Sequence, residues 1–132
     1  MANTSSGTSK TRIWAGRLLG TISVLFFLMD AGMKLAKPSF VVAATVHLGY
    51  PESTIIGIGL ALLVCTILYV IPRTAVLGAI LLTGYLGGAV ASNVRAQTPF
   101  FNLAFPVVFA TMAWASLVLR NKRLESVLFQ AE

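Results

Sequence analysis

The chain reads as an all-α membrane protein: a bundle of four transmembrane helices with a short interfacial helix between spans one and two. Three observations carry this reading. Of the 132 residues, 57% are hydrophobic and only 11% are charged, against about 25% charged residues in soluble domains. The apolar residues fall into four blocks, 13–33, 54–71, 74–94 and 102–119. Each is near the roughly 20 residues that a helix needs to cross a hydrocarbon core. None shows the ten-residue polar–apolar alternation of a membrane β-barrel, so the blocks are helices, which satisfy their backbone groups within the segment.

Residues 1–11, rich in Ser and Thr, read as a disordered tail ahead of a four-span domain over 12–120. Span one places Arg17 one turn inside, where its stem can snorkel to the headgroups. Its first apolar run is short and follows Lys10, Arg12 and Arg17, in the manner of a signal peptide. Asp30 and Lys34 follow directly without a small-x-small cleavage site, so the run is read as a retained span. Lys34 stands at i+4 from Asp30, on the same helical face. Pro38 ends the segment.

Residues 39–50 are too few to span and form the short interfacial helix, with Ser39 as N-cap and Gly49 as C-cap. Ser53 caps span two. The brief link Pro72-Arg73-Thr74 makes spans two and three an antiparallel hairpin. Span three carries no charge between Arg73 and Arg95, a step of about 33 Å as a helix. Gly84 and Gly88 form a GxxxG on the face of Leu77, Ile80, Ala91 and both arginines, with Leu82, Leu86 and Val90 directed away. That face is expected to press on another helix, within the bundle or in a homo-oligomer. Pro106 falls in the first turn of span four, where it costs little. The tail 121–132 puts Leu124, Val127 and Leu128 on one face and suits a short amphipathic helix on the inner leaflet.

The net charge of +6 arises from ten Lys/Arg and four Asp/Glu. Its placement follows topology and contact with anionic membrane lipids, not nucleic acid. Lys10, Arg12, Arg17, Arg73, Arg120, Lys122 and Arg123 share one side, and Lys34, Lys37 and Arg95 the other, which puts both termini in the cytoplasm. Trp14, Tyr69 and Trp114 then fall near the cytoplasmic boundary, as aromatic anchors do. Cys65, the only cysteine, lies within span two and allows no intramolecular disulfide or CxxC chemistry.

Polar groups gather at the opposite end: Asp30, Lys34, His47, Glu52, Asn93 and Arg95. Ionisable groups in a bundle face its interior or water, so Asp30 is expected to pair with Lys34 or Arg95. Tyr85 lies near the bilayer midplane, either packed with its hydroxyl bonded to a neighbouring helix or lining a ligand cavity. Asp30, Lys34, His47, Tyr85 and Arg95 are therefore the candidate ligand-binding residues. One histidine without a Cys or carboxylate cluster makes no metal site. No nucleophile motif, P-loop or dinucleotide fingerprint is present, so there is no self-contained catalytic constellation.

The run Pro72-Arg73-Thr74, Gly78, Thr83-Gly84-Tyr85, Gly87-Gly88 and Ala91, followed by Arg95, resembles the short DoxX-like branch of the DoxX family. Asp30, Gly32 and Lys34, the stretch Leu48-Gly49-Tyr50-Pro51, and Phe105-Pro106 with Trp114 also fit, and the similarity covers about residues 12–123. The resemblance implies a four-helix protein of the bacterial cytoplasmic (inner) membrane. Better known relatives are membrane subunits associated with thiosulfate:quinone oxidoreduction or with thiol and oxidant defence. It therefore implies an accessory subunit that contacts a quinone or lipid-like molecule beside a redox-enzyme partner, and it transfers no catalytic residues. A non-enzymatic scaffold or assembly factor and a small oligomeric transporter are the alternatives.

Overall fold

A computed structural model describes residues 2–129, with side chains from Lys10 onward. Met1 and the last three residues of the expected C-terminal tail lie outside the described residues. The elements are α1 (Ala2–Ala36), α2 (Ser39–His47), α3 (Ile55–Val70), α4 (Ala75–Arg95), α5 (Phe100–Arg120) and α6 (Lys122–Phe129). Tight 3-10 turns at Glu52–Thr54 and Pro72–Thr74 lead into α3 and α4. Among the described residues there is no strand. Among the described residues, four helices are long and apolar enough to cross a membrane: Lys10–Ala36, Glu52–Val70, Pro72–Arg95 and Phe100–Arg120. Residues 2–11 continue α1 toward the N-terminus.

The four long helices close a ring: α1 packs on α3 and α5, and α4 packs on the same two. Phe27, Leu62, Tyr69, Ala79, Leu82, Ala113 and Leu117 fill its centre. Leu18, Leu25, Leu60, Val64, Leu77, Ile80 and Val107 point outward and are exposed. So broad an apolar exterior suits lipid and not water.

Because lipid is as apolar as leucine, close packing and hydrogen bonds hold such a bundle, and small residues admit the closest approach. Gly16 and Gly20 of α1 lie against Ser116 of α5, whose buried hydroxyl donates to the Gly16 carbonyl at 2.6 Å. Gly59 of α3 abuts Ala31 and Lys34 of α1, and Gly78 of α4 abuts the backbone of Leu68 and Tyr69. The hairpin is therefore tightest beside its turn.

Gly84 and Gly88 are not packed in this way. A Cβ added at either meets nothing within 4 Å. The face of α4 that enters the core carries Ala75, Gly78, Ala79, Leu82 and Leu86, so Leu82 and Leu86, expected to face away, are buried. The reason is volume. The bundle centre needs large side chains, whereas Leu77 and Ile80 lose nothing by facing lipid.

The aromatic anchors divide as well. Trp14 is exposed, and the Arg17 guanidinium lies 5.8 Å from its ring centre. Tyr69 is buried and donates to the Ala113 carbonyl at 2.7 Å. Trp114 donates to Thr83 at 2.6 Å, bracing α5 on α4. Tyr69 is thus an interior tie, and Trp114 is a half-buried brace between the two helices. Pro106 lies inside α5 and not in its first turn, so it leaves the Asn102 carbonyl without the usual i+4 donor.

Two loops close the end opposite the hairpin turn. Lys37, at φ 55, ends α1, and Pro38 rather than Ser39 is the N-cap of α2. Gly49, at φ 97, ends α2, and the Tyr50 N–H reaches back to the Thr45 carbonyl at 3.2 Å. That helix end needs the left-handed conformation that glycine tolerates. At the hairpin end, α6 packs Leu124 against the core and leaves Val127 and Phe129 exposed. Arg12 pairs with Glu125 and donates to the Val118 and Leu119 carbonyls, tying α1 to α5 and α6.

A candidate amphiphile cavity beneath the second helix

At the α2 end the ring opens into a cavity of about 840 Å³, reached by residues of all four long helices and roofed by α2. That volume is typical of a small-molecule site. Three of the expected site residues, Asp30, Lys34 and Tyr85, line it.

Asp30 and Lys34 stand one helical turn apart, and the ammonium donates to the carboxylate at 2.6 Å. Their side chains are only 28% and 18% exposed. Asp30 thus pairs with Lys34 and not with Arg95, and the wall they form carries no net charge. Asp30→Asn is expected to lower the unfolding free energy by about 1 kcal/mol. Adding Lys34→Met should recover part of that loss, because a lone buried ammonium is worse than none. Chemical unfolding of the single and double variants in detergent checks this, and strictly additive costs would mean that the pair is uncoupled.

Tyr85 projects into the cavity from α4. Among the described residues its hydroxyl has no hydrogen-bond partner. It lines the cavity and makes no hydrogen-bonded tie to a neighbouring helix among the described residues. Phe26, Phe101 and Phe105 make an aromatic wall opposite, with Phe105 5.2 Å from both Phe26 and Phe101 by ring centres. Phe26 stacks on Phe109 at 3.9 Å, which fixes that wall to the core. The space beside Tyr85 is the space left by Gly84 and Gly88.

His47 and Arg95 do not line the cavity. His47 is exposed on α2. Arg95 donates to the Leu48 carbonyl at 2.7 Å, and its guanidinium occupies the place a side chain at Gly49 would need. Arg95 latches the roof without entering the site. Glu52 pairs with Lys37 at 3.6 Å across the same surface.

Sequence reasoning missed Tyr50 and Ser92, whose hydroxyls share a hydrogen bond of 2.5 Å between the roof and α4. Ser92 follows Gly84 and Gly88 at successive four-residue steps, so the helical wheel held that signal. Asn93, buried near the roof, donates to the Ala89 carbonyl at 2.8 Å and accepts from Thr98 at 2.8 Å. Asn102, from the loop-proximal turn of α5, completes the polar rim.

The cavity is thus a mostly apolar chamber with one neutralised ion pair, one free phenol and a stacked aromatic wall. It can hold an uncharged amphiphile and offer its head the Tyr85 hydroxyl as a hydrogen-bond donor. No curated protein and no solved structure matches the chain. A family model, that of the DoxX-like family, matches residues 18–116, which takes in the whole cavity lining, all of α3 and α4 and most of α5. The chain belongs to the DoxX-like family.

Proposed function

We propose that this membrane protein is an accessory subunit that holds a quinone or lipid-like molecule in the cavity, beside a redox-enzyme partner. The membrane is the bacterial cytoplasmic membrane and both termini face the cytoplasm. The observation that carries the binding reading is the Tyr85 hydroxyl, without a hydrogen-bond partner among the described residues, inside a mostly apolar chamber of about 840 Å³. The hydroxyl is open to the chamber and can donate there, and a quinone carbonyl or a lipid ester oxygen supplies an acceptor of the right kind. The aromatic wall of Phe26 and Phe105 suits a flat ring.

The test is thermal unfolding of the full chain in mild detergent with decylubiquinone. The quinone is expected to raise the midpoint, and Tyr85→Phe is expected to weaken binding by about 1 kcal/mol, the usual worth of one hydrogen bond. A midpoint insensitive to quinones and to neutral lipids would leave the non-enzymatic scaffold as the better account.

A further inference from the structure

The roof and the side of the cavity are built differently. At the α2 end the way to water is fastened by the Tyr50–Ser92 hydroxyl pair at 2.5 Å and by Arg95 on the Leu48 carbonyl at 2.7 Å. The Lys37–Glu52 pair at 3.6 Å adds a third tie. Among the described residues, no comparable side-chain fastening joins α3 to α4 at the level of the cavity. There the lining is Gly57, Ile58 and Ala61 on α3, and Gly84 and Gly88 on α4. A Cβ at Gly57, Gly84 or Gly88 would meet nothing within 4 Å.

The opening lies on a different face of α4 from its tight contact. Beside the hairpin turn, Gly78 rests on the backbone of Leu68 and Tyr69. Gly84 and Gly88, turned roughly 120° and 80° from Gly78 at 100° per residue, border the cavity with open space beside them. The direction of Gly57 completes the picture. Gly59 faces α1, against Ala31 and Lys34. Gly57 is turned roughly 160° from it at 100° per residue, so it borders the cavity from the lipid side of α3.

We infer that the ligand enters sideways from the bilayer, between α3 and α4, and that its hydrocarbon tail stays in this opening while its head lies against Tyr85. This deepens the binding reading above and rests on it. The geometry selects the ligand class. The head is neutral, because the Asp30–Lys34 pair leaves no uncompensated charge for an ionic head. The tail is long enough to reach lipid past Gly57 and Gly88. Such a molecule is dissolved in the membrane and need not pass through water.

The experiment compares ubiquinone-0, which has no tail, with decylubiquinone, on the full chain in lipid nanodiscs. Binding is measured to the wild type, Gly57→Leu and the control Gly32→Leu. Gly32 is equally uncrowded and does not line the cavity. Unliganded midpoints confirm that each variant is folded. Decylubiquinone is expected to bind the wild type and Gly32→Leu alike and to lose about tenfold in affinity on Gly57→Leu, with ubiquinone-0 changed little by either substitution. Decylubiquinone binding equally well to Gly57→Leu would overturn the sideways route while leaving the cavity reading in place. Failure of both quinones to bind the wild type would overturn the cavity reading and this inference with it.

Discussion

Gly78→Ala is expected to destabilise the bundle by about 3 kcal/mol or more, at the upper end of what overpacking costs. The Cβ it introduces would fall on backbone atoms of Leu68 and Tyr69. A flexible side chain can turn aside, but backbone cannot, so α3 and α4 would have to separate beside their turn. That separation also disturbs Tyr69, whose hydroxyl ties the hairpin to Ala113 of α5. Chemical unfolding in detergent measures the effect, with Gly84→Ala as the matched control. The control adds the same methyl group in open space and should leave the midpoint unchanged or slightly raised, since alanine favours the helix by up to about 1 kcal/mol. Equal losses in the two variants would mean that the two glycines share one role.

Gly84→Leu carries the second large effect. The new side chain projects into the chamber that Tyr85 and Gly88 border. It meets no neighbour near its Cβ, so the fold should persist with an unchanged or higher midpoint. Its isobutyl group takes up space that the proposed ligand head requires, and quinone affinity should fall by at least about tenfold, or 1.4 kcal/mol. Stability kept and binding lost separates a site from a packing surface. Stability lost would assign Gly84 to helix contact after all.

The number and identity of the spans were legible because they depend only on apolar length, and each observed span overlaps its apolar block. The Asp30–Lys34 pair was legible from i,i+4 spacing. The orientation of α4 was not. Its two faces are both apolar, and in lipid the leucine-rich face pays no penalty for either direction, so a GxxxG on one side says little about which side is buried. Core volume decided it: Leu82 and Leu86 fill the centre, and contact is made by the less conspicuous Gly78 and Ala79. Arg95 illustrates a different limit. Its placement at the polar end was readable from the length of span three, but its partner is a backbone carbonyl in another element. No side-chain pattern reports on that carbonyl. Tyr50 escaped notice for a related reason, since its contact with Ser92 depends on how the turn at Gly49 brings α2 back over the bundle.

A crystal structure of the wild-type chain grown from a lipid mesophase supplemented with decylubiquinone tests the central claim most directly. The expected result is elongated density in the chamber, its head within hydrogen-bonding distance of the Tyr85 hydroxyl and its tail passing between Gly57 and Gly88 into lipid. A chamber closed by contact of α3 with the Gly84–Gly88 face, with Tyr85 bonded to a neighbouring helix, would contradict it.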